Sequence, residues 1–221
     1  MSVWYYSMTD TRKIINLNYD VLKLFSVPIH YLQIDNFKDR RDSLIKYAYD
    51  LKNLGGRGRN ASNRGGWQSD PVEIKDCNDI LHELLFNVIS NIPSFQKDVD
   101  IRSFSWININ PPESLNVVHD HPNCDIAGVL WIKIPKNSGN FTFVSPYDFL
   151  SYVEMYSYKE EFKKELNYYH NYKFTPQEGS LLLFPSHLRH RVSPNKSNED
   201  RISVSFNIKL LNVMFDKDPY D

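Results

Sequence analysis

At 221 residues, with a net charge of −1 and two widely spaced cysteines, the chain has the length for one domain with a substantial core. It lacks both the basic surplus of a sequence-blind nucleic-acid binder and a disulfide framework. Its apolar runs are too short to span a bilayer and no secretory signal opens it, so a cytoplasmic protein with reduced Cys77 and Cys124 is expected.

Residues 1–20 are polar apart from Trp4, Tyr5 and Tyr6 and read as an N-terminal extension; residues 21–221 read as a single domain. Leu22 to Ile34 reads as extended structure interrupted by Pro28, with His30 a half-buried strand histidine. Phe37, Leu44, Ile45, Tyr47, Ala48, Leu51 and Leu54 then recur at helical spacing, from a candidate cap at Asp35-Asn36 to a stop at Gly55-Gly56. Arg57 to Asp70 reads as a long polar loop. Its arginines and Trp67 can grip an anionic or planar group, or be a solvated surface with one docked ring. No Gly-Lys-Ser/Thr follows its glycines, so it is no phosphate cradle. A second helix, capped by Asn78 or Asp79, carries Ile80, Leu81, Leu84, Leu85, Val88, Ile89 and Ile92 along one side until Pro93.

From Ile101 the period becomes two. Arg102 to Asn110 sets Phe104, Trp106, Asn108 and Asn110 on one face and Ile107 and Ile109 on the other, and the mixed face suits a pocket wall. Further strands are expected at 126–134, 140–144, 172–175, 180–184, 190–193 and 201–210, with a charged surface excursion over 146–169. Two helices followed by many short strands predict an α+β domain in which N-terminal helices buttress a jelly-roll core.

Three features carry chemistry. His119 and His121 stand two apart ahead of an apolar run, so a strand would aim both imidazoles at one point. Imidazole is the commonest side-chain metal ligand. His190, opening a later strand after Phe184-Pro185-Ser186, offers a third ligand, with His187 in the preceding turn as its competitor. Arg201 and Ser203 then share one strand face, on a strand expected to pair with that of His190. An arginine aimed into a barrel needs an anion, and a carboxylate suits it; alone, Arg201 reads equally well as a surface ion-pair partner.

Asn63-Arg-Gly-Gly-Trp-Gln-Ser69, Trp106-x-Asn108, His119-x-His121-Pro-Asn123, Ala127-Gly-Val-x-Trp131, Phe184-Pro-Ser186 with His190, and Arg201-Ile-Ser-Val-Ser-Phe-Asn207 occur in that order. Together they resemble the 2-oxoglutarate/Fe(II)-dependent oxygenases of marine phages and bacteria, within the prolyl-hydroxylase-like superfamily. The resemblance runs from about Phe25 to Leu210. It implies a double-stranded β-helix (a cupin-like jelly roll) and Fe(II) and 2-oxoglutarate as cofactors. The implied reaction is hydroxylation of an unidentified primary substrate with release of succinate and carbon dioxide. On this resemblance His119, His121 and His190 hold iron, and Arg201 and Ser203 hold the distal carboxylate of 2-oxoglutarate. Asn108 and Asn116 lie beside the co-substrate, and Trp67, Asn123 and Trp131 meet the substrate. The wider superfamily places Asp or Glu where His121 stands, and Asp125 is an alternative ligand. Two rivals follow: a cupin-type metalloenzyme that uses Asp125 and no 2-oxoglutarate, or a non-catalytic jelly-roll binding protein.

Overall fold

The computed structural model describes residues 26–90, 100–147 and 157–211. The extension expected over residues 1–20 and part of the charged excursion lie outside these residues. Strands β1 (His30–Gln33), β2 (Asn63–Arg64), β3 (Trp67–Gln68), β4 (Val72–Glu73), β5 (Asp100–Asn110), β6 (Leu115–His119), β7 (Ile126–Lys133), β8 (Phe141–Val144), β9 (Asn171–Phe174), β10 (Ser180–Pro185), β11 (His190–Val192) and β12 (Arg201–Leu211) form two antiparallel sheets. The larger runs β1-β10-β7-β12-β5-β3, with β4 also on β5; the smaller runs β2-β6-β11-β8-β9. Helices are α1 (Lys38–Leu54), α2 (Asp79–Ser90) and the short α3 (Glu160–Glu165) within the charged excursion.

The larger sheet is buried on both faces, which is why β7 and β10 read as continuous apolar runs. On β7, Leu130 and Ile132 point outward and pack with Leu44 and Ala48 of α1 and Leu81 and Leu85 of α2. The alternate residues Ala127, Val129 and Trp131 point inward and meet Phe141, Phe143, Phe184 and Leu188 between the sheets. The predicted split of β5 holds: Ile107 and Ile109 enter the helix-side core, whereas Trp106, Asn108 and Asn110 line a cavity between the sheets. The helices thus buttress one face of a jelly roll, as their apolar stripes predict.

Three local expectations are corrected. Asp35-Asn36 does not cap α1 through a side chain; Asn36 adopts φ 51° in the turn before it. Asn78 does cap α2, its Oδ1 accepting from the Leu81 amide at 3.1 Å. The polar loop contains β2 and β3, and between them the chain leaves the smaller sheet for the larger one. Finally, Arg201 is not on a strand paired with that of His190. β12 pairs with β5 and β7, while β11 pairs with β6 and β8, so the two residues face each other from opposite sheets.

Candidate metal centre

Three histidines converge on the inner side of the smaller sheet. His119 ends β6 and His190 begins β11, and the two are directly paired across the sheet. His121 lies two residues past the end of β6. Its backbone N–H donates to the Ser186 carbonyl at 2.9 Å, and a tight turn follows as the Cys124 amide donates back to the His121 carbonyl at 3.4 Å. Strand alternation therefore does not aim His121; this turn does. One nitrogen from each of the three rings falls within 4.8 Å of the others, and His121 Nε2 and His190 Nε2 stand 3.4 Å apart.

The ring orientations are set by backbone. His119 Nδ1 donates to the Val117 carbonyl at 2.8 Å and His190 Nδ1 to the Leu188 carbonyl at 2.9 Å. Each bond leaves Nε2 with a free lone pair, the arrangement that fixes a ligating imidazole. Burial is the main cause holding all three rings below the ordinary histidine range, and mutual repulsion adds to it for two of them: His121 falls to about 4 and His190 to about 3. The rings are neutral at pH 7, the form that binds a metal. Three neutral nitrogen donors suit a borderline divalent ion such as iron, nickel or zinc, so the donor set fits a metal.

The cavity beside them has a volume of about 360 Å³. Trp131, Phe141 and Phe184 supply apolar wall, and Trp106 lies against His121 with ring centroids 5.9 Å apart. Arg201 also lines it and is 2% exposed. Its Nη1 donates to the Ser138 and Ser193 carbonyls, while Nη2 has no hydrogen-bond partner. Among the described residues no carboxylate pairs with this guanidinium. Burial pulls it down to about 10, so it remains a cation at pH 7. A buried, uncompensated cation facing a cavity calls for an anion. Ser203, 8% exposed, lines the same cavity.

Asn108 and Asn116 reach the cavity, but their amides already donate to protein: Asn108 Nδ2 to Ser205 Oγ at 2.9 Å, Asn116 Nδ2 to Ser62 Oγ at 3.1 Å. Asp125 lies outside the histidine cluster. Its carboxylate accepts from Lys209 Nζ at 3.1 Å and the Leu210 amide at 2.8 Å. Trp67 is part of the helix-side core, its Nε1 donating to the Gly56 carbonyl, and it does not line the cavity. Asn123 is exposed in the turn and also stands off the cavity, as does the exposed His187. Asp120 is exposed at the cavity rim. Gln68 lines the cavity and escaped the sequence reading of the site; Asn110, which strand alternation placed on the pocket-wall face without a role, lines it as a buried polar group with an unpaired amide. The alternation Trp67 in, Gln68 across is visible only once β3 is known to be a strand.

Residues 104–207 match the model of a family described as "Putative 2OG-Fe(II) oxygenase". No curated protein matches the chain. Among solved structures, a Pseudomonas putida prolyl-4-hydroxylase superposes with TM-score 0.55 at 14% identity, over 81% of this chain and 91% of that one. The α-ketoglutarate-dependent carbocyclase SnoK of nogalamycin biosynthesis gives 0.59 at 12%, over 82% and 79%. Streptomyces hygroscopicus HygX, solved with nickel, 2-oxoglutarate and hygromycin B, gives 0.54 at 9%, over 83% of each chain. At these identities the likeness to solved structures is one of fold.

Proposed function

We propose that this chain is a 2-oxoglutarate/Fe(II)-dependent oxygenase, a reading supported by the family match over residues 104–207, and that it holds its Fe(II) on His119, His121 and His190 and its 2-oxoglutarate between that ion and Arg201. The single observation that carries this assignment is the pairing of a neutral three-imidazole cluster with an unneutralised buried arginine on facing walls of one cavity. With both groups bound, dioxygen is divided between two organic molecules: 2-oxoglutarate leaves as succinate and carbon dioxide, and the substrate gains a hydroxyl.

The chain's own residues do the rest. Arg201 meets the distal carboxylate of 2-oxoglutarate with its free Nη2 edge, and Ser203 adds a hydroxyl from the same strand face. The carbonyls of Val117 and Leu188 keep the imidazole lone pairs turned to the ion. Trp131, Phe141 and Phe184 keep the wall dry, which strengthens every charged contact inside. The primary substrate enters where exposed Ala61 and Asp120 border the cavity, and Gln68 rather than Trp67 faces it. Against the cupin-type reading stands the engagement of Asp125, its alternative ligand, by Lys209 and Leu210, away from the three rings.

The test is anaerobic Fe(II) titration followed by 2-oxoglutarate, read by the metal-to-ligand charge-transfer band in the visible region. Wild type is expected to develop the band, and His121→Ala and Arg201→Ala to weaken it. Iron binding without a band, unchanged by Arg201→Ala, would overturn the co-substrate assignment. A band unaffected by His121→Ala would remove that residue from the ligand set.

A further inference from the structure

The cavity holds a second unpaired donor that the co-substrate assignment above does not use. Asn110 is 2% exposed, lines the cavity, and its Nδ2 has no partner. It lies on β5 directly across from Arg201 on β12. Residues paired in this way have Cβ atoms about 4.5–5.5 Å apart. Two buried nitrogens without acceptors thus belong to cross-strand neighbours that line the same cavity. Buried donors are nearly always satisfied, so two left unsatisfied on neighbouring residues of one cavity mark a place for an acceptor.

The surroundings hold the Asn110 amide in place. Its backbone carbonyl accepts from Asn195 Nδ2 at 2.9 Å, and the same nitrogen donates to the Glu199 carbonyl at 2.7 Å, tying the strand end to the turn that leads into Arg201. Gly66 packs over the side chain. A Cβ at this position would stand 2.7 Å from Asn110 Nδ2 and 3.5 Å from its Cγ. Gly65 needs glycine for its φ of 72°, but Gly66 is not in the left-handed region, so its missing side chain serves space rather than backbone conformation.

Resting on the function proposed above, we infer that Asn110 is a second donor to the distal carboxylate of the co-substrate, and that Gly66 keeps it aimed. Arg201 supplies charge, and Asn110 supplies a neutral N–H that fixes where the carboxylate stops. The pair therefore selects a 2-oxo acid with a carboxylate at the far end of a five-carbon chain.

The experiment measures Kd by calorimetry on Ni(II)-loaded protein, which binds without turnover. The ligands are 2-oxoglutarate and 2-oxopentanoate, which has the same chain length but a methyl in place of the distal carboxylate. Loss of one hydrogen bond to a charged group predicts that Asn110→Ala weakens 2-oxoglutarate binding by about ten-fold or more. Asn110→Asp, which adds a repelling charge, weakens it further, and Gly66→Ala behaves like Asn110→Ala. The weaker binding of 2-oxopentanoate, and the affinity for Ni(II), stay unchanged in all three. A change under two-fold for Asn110→Ala, or an equal loss for both ligands, overturns the inference. Loss in Arg201→Ala alone overturns it while sparing the proposed function. Failure of the Ni(II)-loaded wild type to bind 2-oxoglutarate overturns both.

Discussion

Arg201 is a cation 2% exposed with no carboxylate partner among the described residues, and such a group costs stability until an anion arrives. Removing one partner of a buried ion pair typically costs about 3–5 kcal/mol, because a charge is stranded. Here the stranded charge is already present, so Arg201→Met removes it and leaves only the Ser138 and Ser193 carbonyls short of a donor. We expect the ligand-free variant to unfold in urea within about 1 kcal/mol of wild type, since the relieved desolvation offsets the lost hydrogen bonds. Its 2-oxoglutarate binding should disappear. A loss of several kcal/mol would mean that the guanidinium is structurally paired after all. The histidines carry a second prediction. His121→Asp supplies the carboxylate usual at this position and should retain Fe(II), whereas His121→Ala should lose more affinity than the ~10–100-fold typical of outer-shell changes. Equilibrium dialysis against a competing chelator reads the difference. Residue chemistry made His119, His121, His190 and Arg201 legible, because few other roles suit those side chains at those spacings. It could not rank Asn108, Asn110 and Asn116. That ranking depends on Ser205 and Ser62, which occupy two of the three amides and are distant in sequence.

Between residues and whole molecule, the segment that departs most from the sequence reading is the one joining α1 to β4. It looked like a solvated loop because its composition is polar and glycine-rich. Asn63 accounts for its order: Nδ2 donates to the Arg59 and Gly66 carbonyls, and Oδ1 accepts from the Ala61 amide at 2.8 Å. Trp67 then anchors it in the helix-side core at 7% exposure. Trp67→Ala should therefore cost about 3–5 kcal/mol, as expected for a buried aromatic, measured by chemical denaturation. A substrate-wall role would instead leave stability unchanged and alter KM. The misplacement of Arg201 has a related origin. A short polar turn between two strands reads as a hairpin, but Pro194 to Asp200 carries the chain from one sheet to the other. That turn is tied to α1, where Tyr49 Oη donates to Asp200 Oδ2 at 2.9 Å. Burial, reinforced by Asp200, pushes the Tyr49 phenol up to about 12. A folded-state pKa above the unfolded value of about 10 means the contribution is fully present below pH 10 and is lost as pH rises towards 12. Urea stability followed across that window should fall for wild type, and the fall should be smaller in Tyr49→Phe. Parallel curves would show that the bond does not couple to folding.

For the molecule as a whole, the larger sheet separates two tasks. Its outer face meets the helices and holds the fold together; its inner face meets the smaller sheet and shapes the site. The period-two pattern of β5 made this division legible, but β7, apolar throughout, concealed which of its residues face which way. Neighbouring positions on β7 test the division directly. Leu130 is fully buried against the helices, and Val129 is buried between the sheets and lines the cavity. Leu130→Ala should cost about 2–5 kcal/mol through lost burial and a cavity too remote to touch the ligand. Its 2-oxoglutarate affinity, measured at a temperature where the variant is fully folded, should match wild type. Val129→Ala removes less apolar surface, about 1.6 kcal/mol for two methyl groups at roughly 0.8 each, but widens the cavity wall and should weaken binding as well. The discriminating quantity is the ratio of the two effects. If a sandwich with one stabilising face and one functional face is the right description, adjacent residues on the same strand give opposite ratios. Equal ratios would mean that strain passes through the sheet, and that the helices help to set the geometry of the metal centre as well as its stability.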